Sequence, residues 1–293
     1  MPLSYSPLRY PGGKTSIFEL VSEFIKVNKL QRRHYAEPYA GGCGLALALL
    51  YHGFVSDIHI NDIDRGIWAF WDAVLNHTER LEEKINTTTI NMDEWYKQKE
   101  VIQNPKIYDD FGVGFATFFL NRTNRSGIIK NAGVIGGKNQ EGNYKLDCRF
   151  NKTDLIKRIR RVAKYKSRIH LTHQDAIHFI QKAENCLPEE TFFCIDPPYF
   201  NKGSSLYTNF YEKNDHAQIA DAILELNRPW ILTYDNDDEI KKLYKTRRQF
   251  EINLNYSANV KRVGTELMIT SKRLYIPKPF KVNQSYYPQY QTA

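Results

Sequence analysis

The run HYAEPYAGGCGLALALLYHGFVSDIHIND, residues 34–62, predicts two strands joined by a helix. Residues 34–39 and 55–62 mix apolar with polar side chains over the length of a strand, whereas 43–52 is a helix-forming run rich in Ala and Leu. A helix between two strands indicates a crossover, which pairs the strands in parallel. A parallel sheet is therefore the expected centre of the fold.

The same alternation returns in the second half of the chain. It predicts strands at 168–172, 191–196 and 229–234, and helices at 65–75, 175–183, 214–226 and 236–244. Residues 249–256 and 265–276 alternate like the two arms of a hairpin. Together these elements predict an α/β fold whose sheet is mostly parallel and doubly wound, with an antiparallel edge. Ligands of such sheets bind at the carboxyl ends of the strands.

Composition limits the class of protein. The chain has 293 residues, 42% of them apolar, which is enough for one large or two modest globular domains. No apolar run reaches the ~18 residues of a membrane helix, and the amino terminus lacks the pattern of a signal peptide, so we expect a cytoplasmic protein. Its four cysteines lack C-x-x-C spacing and its eight histidines lack H-E-x-x-H spacing, so we expect no metal site.

Positive charge is concentrated in one segment. The formal net charge is +8, but residues 121–168 hold 14 basic and three acidic side chains, a net +11, and leave the remainder at −3. Such a segment can neutralise several phosphates of a nucleic acid. A solvated basic helix over 153–165 would explain the charge equally well, and both interpretations stay open here.

The middle of the chain differs in texture from the strand–helix alternation around it. It predicts helices at 91–103 and 110–120 and then a basic, glycine-rich stretch at 122–151, in which residues 131–143 favour a projecting loop. We therefore predict a catalytic domain at 1–75 and 161–278, an inserted helical and basic domain at 76–160, and a flexible tail at 279–293.

The sharpest local motif is Asp196-Pro197-Pro198-Tyr199, directly after the apolar strand at 191–196. Two prolines end the strand ladder and stiffen the backbone, because neither has a donor N–H. The Asp196 carboxylate and the nearby carbonyls then form a set of acceptors beside an aromatic ring. Such a set suits a planar amine, although a rigid turn with a capping aspartate is the simpler alternative.

A second motif lies between the first predicted strand and its helix. The glycines of Glu37-Pro38-Tyr39-Ala40-Gly41-Gly42 would let a ligand approach the backbone closely, and an acidic residue about twenty positions on, Asp62, suits ribose hydroxyls. This pattern indicates a cofactor that contains adenosine, although tight helix packing also uses glycine. Near the start, Gly12-Gly13-Lys14-Thr15 lacks the first glycine of a P-loop, because position 8 is leucine.

Taken together, these motifs resemble those of the Dam family of DNA adenine methyltransferases. The lysine motif at 10–14, the glycine motif at 37–41, Asn61-Asp62, the insertion and the D-P-P-Y motif also follow the order of that family. Residues 120–122, 150–151, 207–211 and 265–267 extend the resemblance over about 270 residues. The resemblance implies a Rossmann-like methyltransferase sheet with a target-recognition insertion.

It also implies S-adenosylmethionine as cofactor, double-stranded DNA as partner, and direct methyl transfer to the amine of a flipped-out adenine. The implied catalytic residues are Asp196, Pro197, Pro198 and Tyr199. The implied cofactor-binding residues are Tyr10, Lys14, Glu37, Pro38, Tyr39, Ala40, Gly41, Asp62, Ile63, Asp175, Ala176 and Asp196. The implied DNA-binding residues are Arg9, Arg122, Asn124, Arg125, Lys130 and Lys138.

Two positions depart from the family pattern. Cys43 stands where the last glycine of the glycine motif usually lies, and Thr123 replaces an aromatic residue that often wedges into the duplex.

Methylation of the cytosine amine is the nearest alternative function, but that class usually has Ser in place of Asp196. A nicotinamide-dependent oxidoreductase would explain the glycines and Asp62, and a noncatalytic DNA-binding module would explain only the charge. The sequence leaves open the recognised bases and whether a restriction endonuclease is a partner.

Overall fold

A computed structural model of the protein describes residues 5–9, 13–200, 211–256 and 262–277. The sheet contains seven strands in the described residues. They are β1 (Arg33–Glu37), β2 (Val55–Asn61), β3 (Ile169–Thr172), β4 (Phe192–Ile195), β5 (Trp230–Asp235), β6 (Arg248–Tyr256) and β7 (Arg262–Thr270). The predicted tail at 279–293 lies outside the described residues.

The strand order is β3-β2-β1-β4-β5-β7-β6. β1 to β5 are parallel, and β7 runs antiparallel between β5 and β6. All four residues of β4 are buried, as expected for a strand covered on both faces. The predicted α/β fold, with a mostly parallel sheet and an antiparallel edge hairpin, is confirmed. The chain leaves β1 toward β2 on one side and reaches β4 on the other, so a crevice opens between β1 and β4 at their carboxyl ends.

Ten α-helices surround this sheet in the described part of the chain. They are α1 (Phe18–Val27), α2 (Gly44–Tyr51), α3 (Arg65–Asn76), α4 (Thr78–Thr87), α5 (Met92–Gln103), α6 (Asp110–Thr123), α7 (Lys152–Ala163), α8 (Ala176–Cys186), α9 (Lys213–Glu225) and α10 (Asp238–Leu243). No helix there is long and apolar enough to cross a membrane.

Two details of the predicted elements were wrong. The second hairpin strand was expected at 265–276 but spans Arg262–Thr270, because the Arg248 guanidinium binds the carbonyls of Ser271 and Lys272 and so turns the chain out of the ladder. Helices α1 and α4 were not predicted. In α4 only Leu81 and Ile85 are buried, one turn apart on a strongly polar helix.

Helix α6 is the central element of the middle segment, and it packs directly on α3. Residues 113–123 of α6 are all buried. The Phe118 ring stacks on Phe70 of α3 with centroids 5.4 Å apart and planes at 7°. Gly114 lies so close to α3 that a Cβ atom there would stand 2.6 Å from the Ala69 carbonyl carbon. The end of α6, which carries Asn121 and Arg122, is therefore held against the helix that follows β2.

Candidate active site

Asn61 ties three loops together at the carboxyl edge of the sheet. Its fully buried side chain donates to the Pro38 carbonyl (3.1 Å) and to the Gln174 carbonyl (2.9 Å). It accepts from the Thr172 hydroxyl (2.8 Å) and from the Gln174 N–H (3.0 Å). The loops after β1, β2 and β3 are thus fixed relative to one another, a role that motif spacing alone did not reveal.

The glycine motif forms the loop that follows β1. The Ala40 N–H donates to the Asn61 carbonyl (2.8 Å), and the Gly41 N–H donates to Asp62 Oδ2 (2.9 Å). Gly41 has φ 45°, in the left-handed region that favours glycine. Cys43 also adopts a left-handed backbone, with φ 49°, and α2 begins at Gly44. The departure from the family's glycine spacing is therefore absorbed by a left-handed cysteine just before the helix.

The buried carboxyl group of Glu37 and the half-buried one of Asp62 face this loop. Burial, opposed by the hydroxyl of Tyr35 that donates to Oε1 (2.8 Å), raises the pKa of Glu37 to about 8. Burial and the charge of Asp64 raise the pKa of Asp62 to about 7. Both groups would be more stable as carboxylates with a hydroxyl donor or a cation beside them.

The other predicted cofactor residues lie around the same edge. Tyr39 pairs with Tyr211 through their hydroxyls (2.8 Å), and Ile63 is 48% exposed after β2. Asp175 caps α8 by accepting from the Ile177 N–H (2.9 Å). Ala176 is buried at the start of that helix, and Tyr10 lies outside the described residues.

The D-P-P-Y motif forms a rigid corner at the end of β4, beside β1. Pro197 and Pro198 are buried, and Tyr199 is 6% exposed. Asp196 Oδ1 accepts from the Thr233 hydroxyl on β5 (2.8 Å). Asp196 Oδ2 lies 2.9 Å from Lys14 Nζ. The predicted lysine thus contacts the predicted catalytic aspartate, although the sequence had suggested only a contact with cofactor.

Glu266 on β7 completes this corner and was not among the predicted site residues. It is 2% exposed, the Tyr199 hydroxyl donates to its Oε1, and its Oε2 lies 3.5 Å from Lys14 Nζ. Burial and the charge of Asp196, opposed by Lys14, raise the pKa of Glu266 to about 7. The signal in the sequence was Thr265-Glu266-Leu267, which places the one acidic residue of this strand beside a run of apolar residues.

The predicted DNA-binding residues differ in how far they are exposed. Arg125 and Lys138 are exposed, and the half-buried Lys130 has its Nζ 3.9 Å from Asp64 Oδ2. Arg122 is 8% exposed and donates to the Arg149 carbonyl (2.8 Å). Burial, then the charge of Arg9, lowers the pKa of Arg122 to about 9.

Asn124 requires a correction. It is 1% exposed, its Oδ1 accepts from the Trp95 indole (2.8 Å), and its Nδ2 donates to the Ile128 carbonyl (2.9 Å). Because both ends of its amide are bonded inside the protein, Asn124 holds the loop after α6 and does not face DNA. Asn121 has a related task, since its amide binds both the N–H and the carbonyl of Arg9 (2.7 Å each).

The basic helix α7 is less available than its charge indicated. Arg158 donates to the Ser6 carbonyl (3.1 Å), and Arg160 grips both carboxylate oxygens of Glu82. The guanidinium of Arg161 lies 4.0 Å from the centre of the Tyr51 ring. These three arginines therefore fasten α7 to the rest of the fold.

Comparison with known proteins gives three results. The family model of the D12 class N6 adenine-specific DNA methyltransferases matches residues 10–258. The Type II methyltransferase M.MjaIII of Methanocaldococcus jannaschii is 27% identical over 235 residues, which are 72% of this chain and 76% of the relative. Among solved structures, a Pyrococcus horikoshii protein assigned as an RNA methyltransferase aligns with a TM-score of 0.41 and 8% identity, over 92% of this chain and 89% of that one.

Proposed function

Because this chain belongs to the D12 class N6 adenine-specific DNA methyltransferases, it is an enzyme that methylates adenine in DNA, and we propose how its residues divide that work. The resemblance of its motifs to adenine methyltransferases is thereby confirmed. In our proposal the methyl donor is S-adenosylmethionine, the substrate is duplex DNA, and the target adenine leaves the helix before it reacts.

One observation carries the proposal: the acceptor corner at Asp196 and the glycine loop at Gly41 end adjacent parallel strands, β4 and β1. The corner and the loop therefore border the same crevice, where an amine and a methyl donor would meet. A corner of acceptors beside a cofactor loop is what amine methylation requires.

The residues around the glycine loop fit S-adenosylmethionine chemically. Burial raises the pKa of Glu37 to about 8 and that of Asp62 to about 7, and the cofactor offers both carboxyl groups a sulfonium, an ammonium and ribose hydroxyls. The buried Gln174 Oε1 has no hydrogen-bond partner among the residues that the structure describes, so it suits an amino group. The predicted contacts of the cofactor with the other residues stay predictions; these are Tyr10, Lys14, Pro38, Tyr39, Ala40, Gly41, Ile63, Asp175 and Ala176. When bound, the cofactor supplies an electrophilic methyl group.

Asp196 and the Pro197 carbonyl would hold the target amine. The lone pair of an exocyclic amine is delocalised into the ring, so the transition state places positive charge on a pyramidal nitrogen. Hydrogen bonds from the amine protons to these acceptors strengthen as that charge grows, so they stabilise the transition state more than the bound substrate. Thr233 and Lys14 fix the Asp196 carboxylate in place for this task. Flipping the base costs a few kcal/mol, and stacking on Tyr199 would return about 1–3 kcal/mol.

Arg9, Arg122, Arg125, Lys130 and Lys138 would contact DNA. The support is electrostatic: Arg122 is buried near Arg9, and the charge of Arg9 lowers its pKa. A phosphate beside this pair would relieve the repulsion. Segment 76–160 is, in this proposal, the target-recognition insertion. A restriction endonuclease as partner is supported by the Type II designation of the M. jannaschii relative.

The test uses S-adenosylmethionine labelled in its methyl group and duplex DNA of mixed sequence. We expect label in N6-methyladenine after digestion of the DNA. Asp196→Asn should lose about 10²-fold or more of the rate, by the scale for removing one transition-state contact. Asp238→Asn is the matched control, because Asp238 is 87% exposed and far along the chain from the corner. Label in N4-methylcytosine, or full activity of the Asp196 variant, would contradict the proposal.

A further inference from the structure

Glu266 is a buried carboxyl group for which the mechanism so far has no use. β7 places it opposite Asp235 of β5, and its side chain reaches the Asp196 corner. Oε1 accepts from the Tyr199 hydroxyl, whereas Oε2 accepts no hydrogen bond within the described residues. Its partner there is the Lys14 ammonium, an ion pair at 3.5 Å that is longer than a hydrogen bond, which leaves this buried oxygen weakly satisfied.

Lys14 connects this carboxyl group to the reaction centre. Its ammonium lies 2.9 Å from Asp196 Oδ2, 2.9 Å from the Tyr199 hydroxyl and 3.5 Å from Glu266 Oε2. The Lys14 side chain is 6% exposed and that of Glu266 is 2% exposed. One ammonium thus bridges the carboxylate that would meet the amine and a second carboxyl group behind it.

Methylation of a neutral amine creates a proton that must leave. As the N6–methyl bond forms, the methyl–sulfur bond breaks and its electron pair stays on sulfur, so the nitrogen becomes cationic. We propose that the proton lost from N6 ends on Glu266, by way of Asp196 and Lys14. Asp196 takes the proton from nitrogen, and the Lys14 ammonium gives one of its protons to Glu266 Oε2 while it receives that of Asp196. When the products leave, the proton returns by way of Lys14 to Asp196, whose side chain is 20% exposed, and from there to solvent. This inference rests on the proposed function.

The electrostatics allow Glu266 to hold and release a proton near neutrality. The groups that face it are Lys14, Asp196 and Tyr199 in the corner, with Asp235 opposite on β5. Burial and Asp196 raise its pKa, and Lys14 and the Tyr199 hydroxyl lower it, with a result of about 7. Acceptors with a pKa near the working pH are the most effective in proton transfer.

The experiment measures single-turnover methyl transfer and proton release, with labelled S-adenosylmethionine, duplex DNA and a pH indicator, from pH 6 to 9. For Glu266→Gln we expect a rate at least tenfold lower, cofactor and DNA dissociation constants within about twofold of wild type, and loss of the fall in rate below pH 7. Glu266→Asp should restore part of the rate. The matched control is Glu251→Gln, a half-buried glutamate on β6 that pairs with Lys241 (3.6 Å).

A second variant keeps the test decisive if Glu266→Gln does not fold. Tyr199→Phe removes one donor to Glu266, so the fall in rate should move to higher pH. A Glu266→Gln enzyme with the wild-type pH profile, or a Tyr199→Phe enzyme without that shift, would overturn the proton route alone. A wild-type protein that leaves adenine unmethylated would overturn the proposed function instead.

Discussion

Replacing Gly114 with alanine tests how α6 is held against the catalytic sheet. The new Cβ would stand 2.6 Å from both the carbon and the oxygen of the Ala69 carbonyl and 2.8 Å from the Phe70 nitrogen. Ordinary contact begins at 3.4 Å, so the two helices must separate by about 0.8 Å. Overpacking of this kind costs about 1–3 kcal/mol, and because the obstacle is backbone we expect the upper end. Alanine returns up to about 1 kcal/mol of helix propensity, which leaves a net loss of about 2 kcal/mol.

The assay is urea denaturation at pH 7.5, with Gly133→Ala as the matched control. Nothing lies within 4 Å of a Cβ built at Gly133. The midpoint of Gly114→Ala should fall while its slope stays that of wild type. DNA affinity should fall as well, because α6 carries Arg122, whereas cofactor affinity should hold, because the glycine loop follows β1. A Gly114 variant as stable as the Gly133 variant would refute the backbone-packing argument.

Three further outcomes are expected. Burial and two neighbouring imidazoles lower the pKa of His59 to about 3. Below pH 6.5 the unfolded chain therefore binds a proton that the folded chain does not, so the free energy of unfolding falls toward pH 5. His59→Gln should make the urea midpoint less dependent on pH over this range. Lys14→Met leaves Asp196 and Glu266 without their shared cation and should cost about 3–5 kcal/mol of unfolding free energy by calorimetry; an unchanged transition would contradict the ion-pair assignment. Because the pKa of Glu37 is about 8, the affinity for S-adenosylmethionine should increase as the pH is raised from 6 to 8. Binding should also release protons, which calorimetric titrations in buffers of different ionisation heat would measure. Binding without proton release would contradict a contact with this carboxylate.

The sheet could be predicted from the sequence because its strands are short apolar runs with clear ends. The strand at 192–195 is wholly apolar, and helix 65–76 carries a regular apolar face, so local pattern and tertiary burial agree. Helix α4 escaped prediction because its two buried residues are diluted by eight polar ones. The end of β7 escaped because it is set by Arg248, a residue more than twenty positions away.

The site was predictable as far as single motifs reach. The sequence singled out Asp196 and the glycine loop as candidates, because their residue types and spacing suit the chemistry, and the structure brings them to adjacent strands. It did not reveal that Lys14 contacts Asp196, since that pair is separated by 182 positions and depends on the folded sheet. The resemblance to the family implied that Asn124 binds DNA, but only the structure shows that the Trp95 indole donates to its oxygen.

The close packing of α6 bears on how a chimeric enzyme should be assembled. The backbone of α6 meets Ala69 of α3, so both helices should come from the same parent in a chimera that exchanges the proposed recognition segment. Asn124, directly after α6, and Asn151, which caps α7, are hydrogen-bonded at the two ends of the segment between α6 and α7. A segment from a relative, inserted between Asn124 and Asn151, would replace the exposed Arg125 and Lys138 and leave the packing of α6 on α3 unchanged.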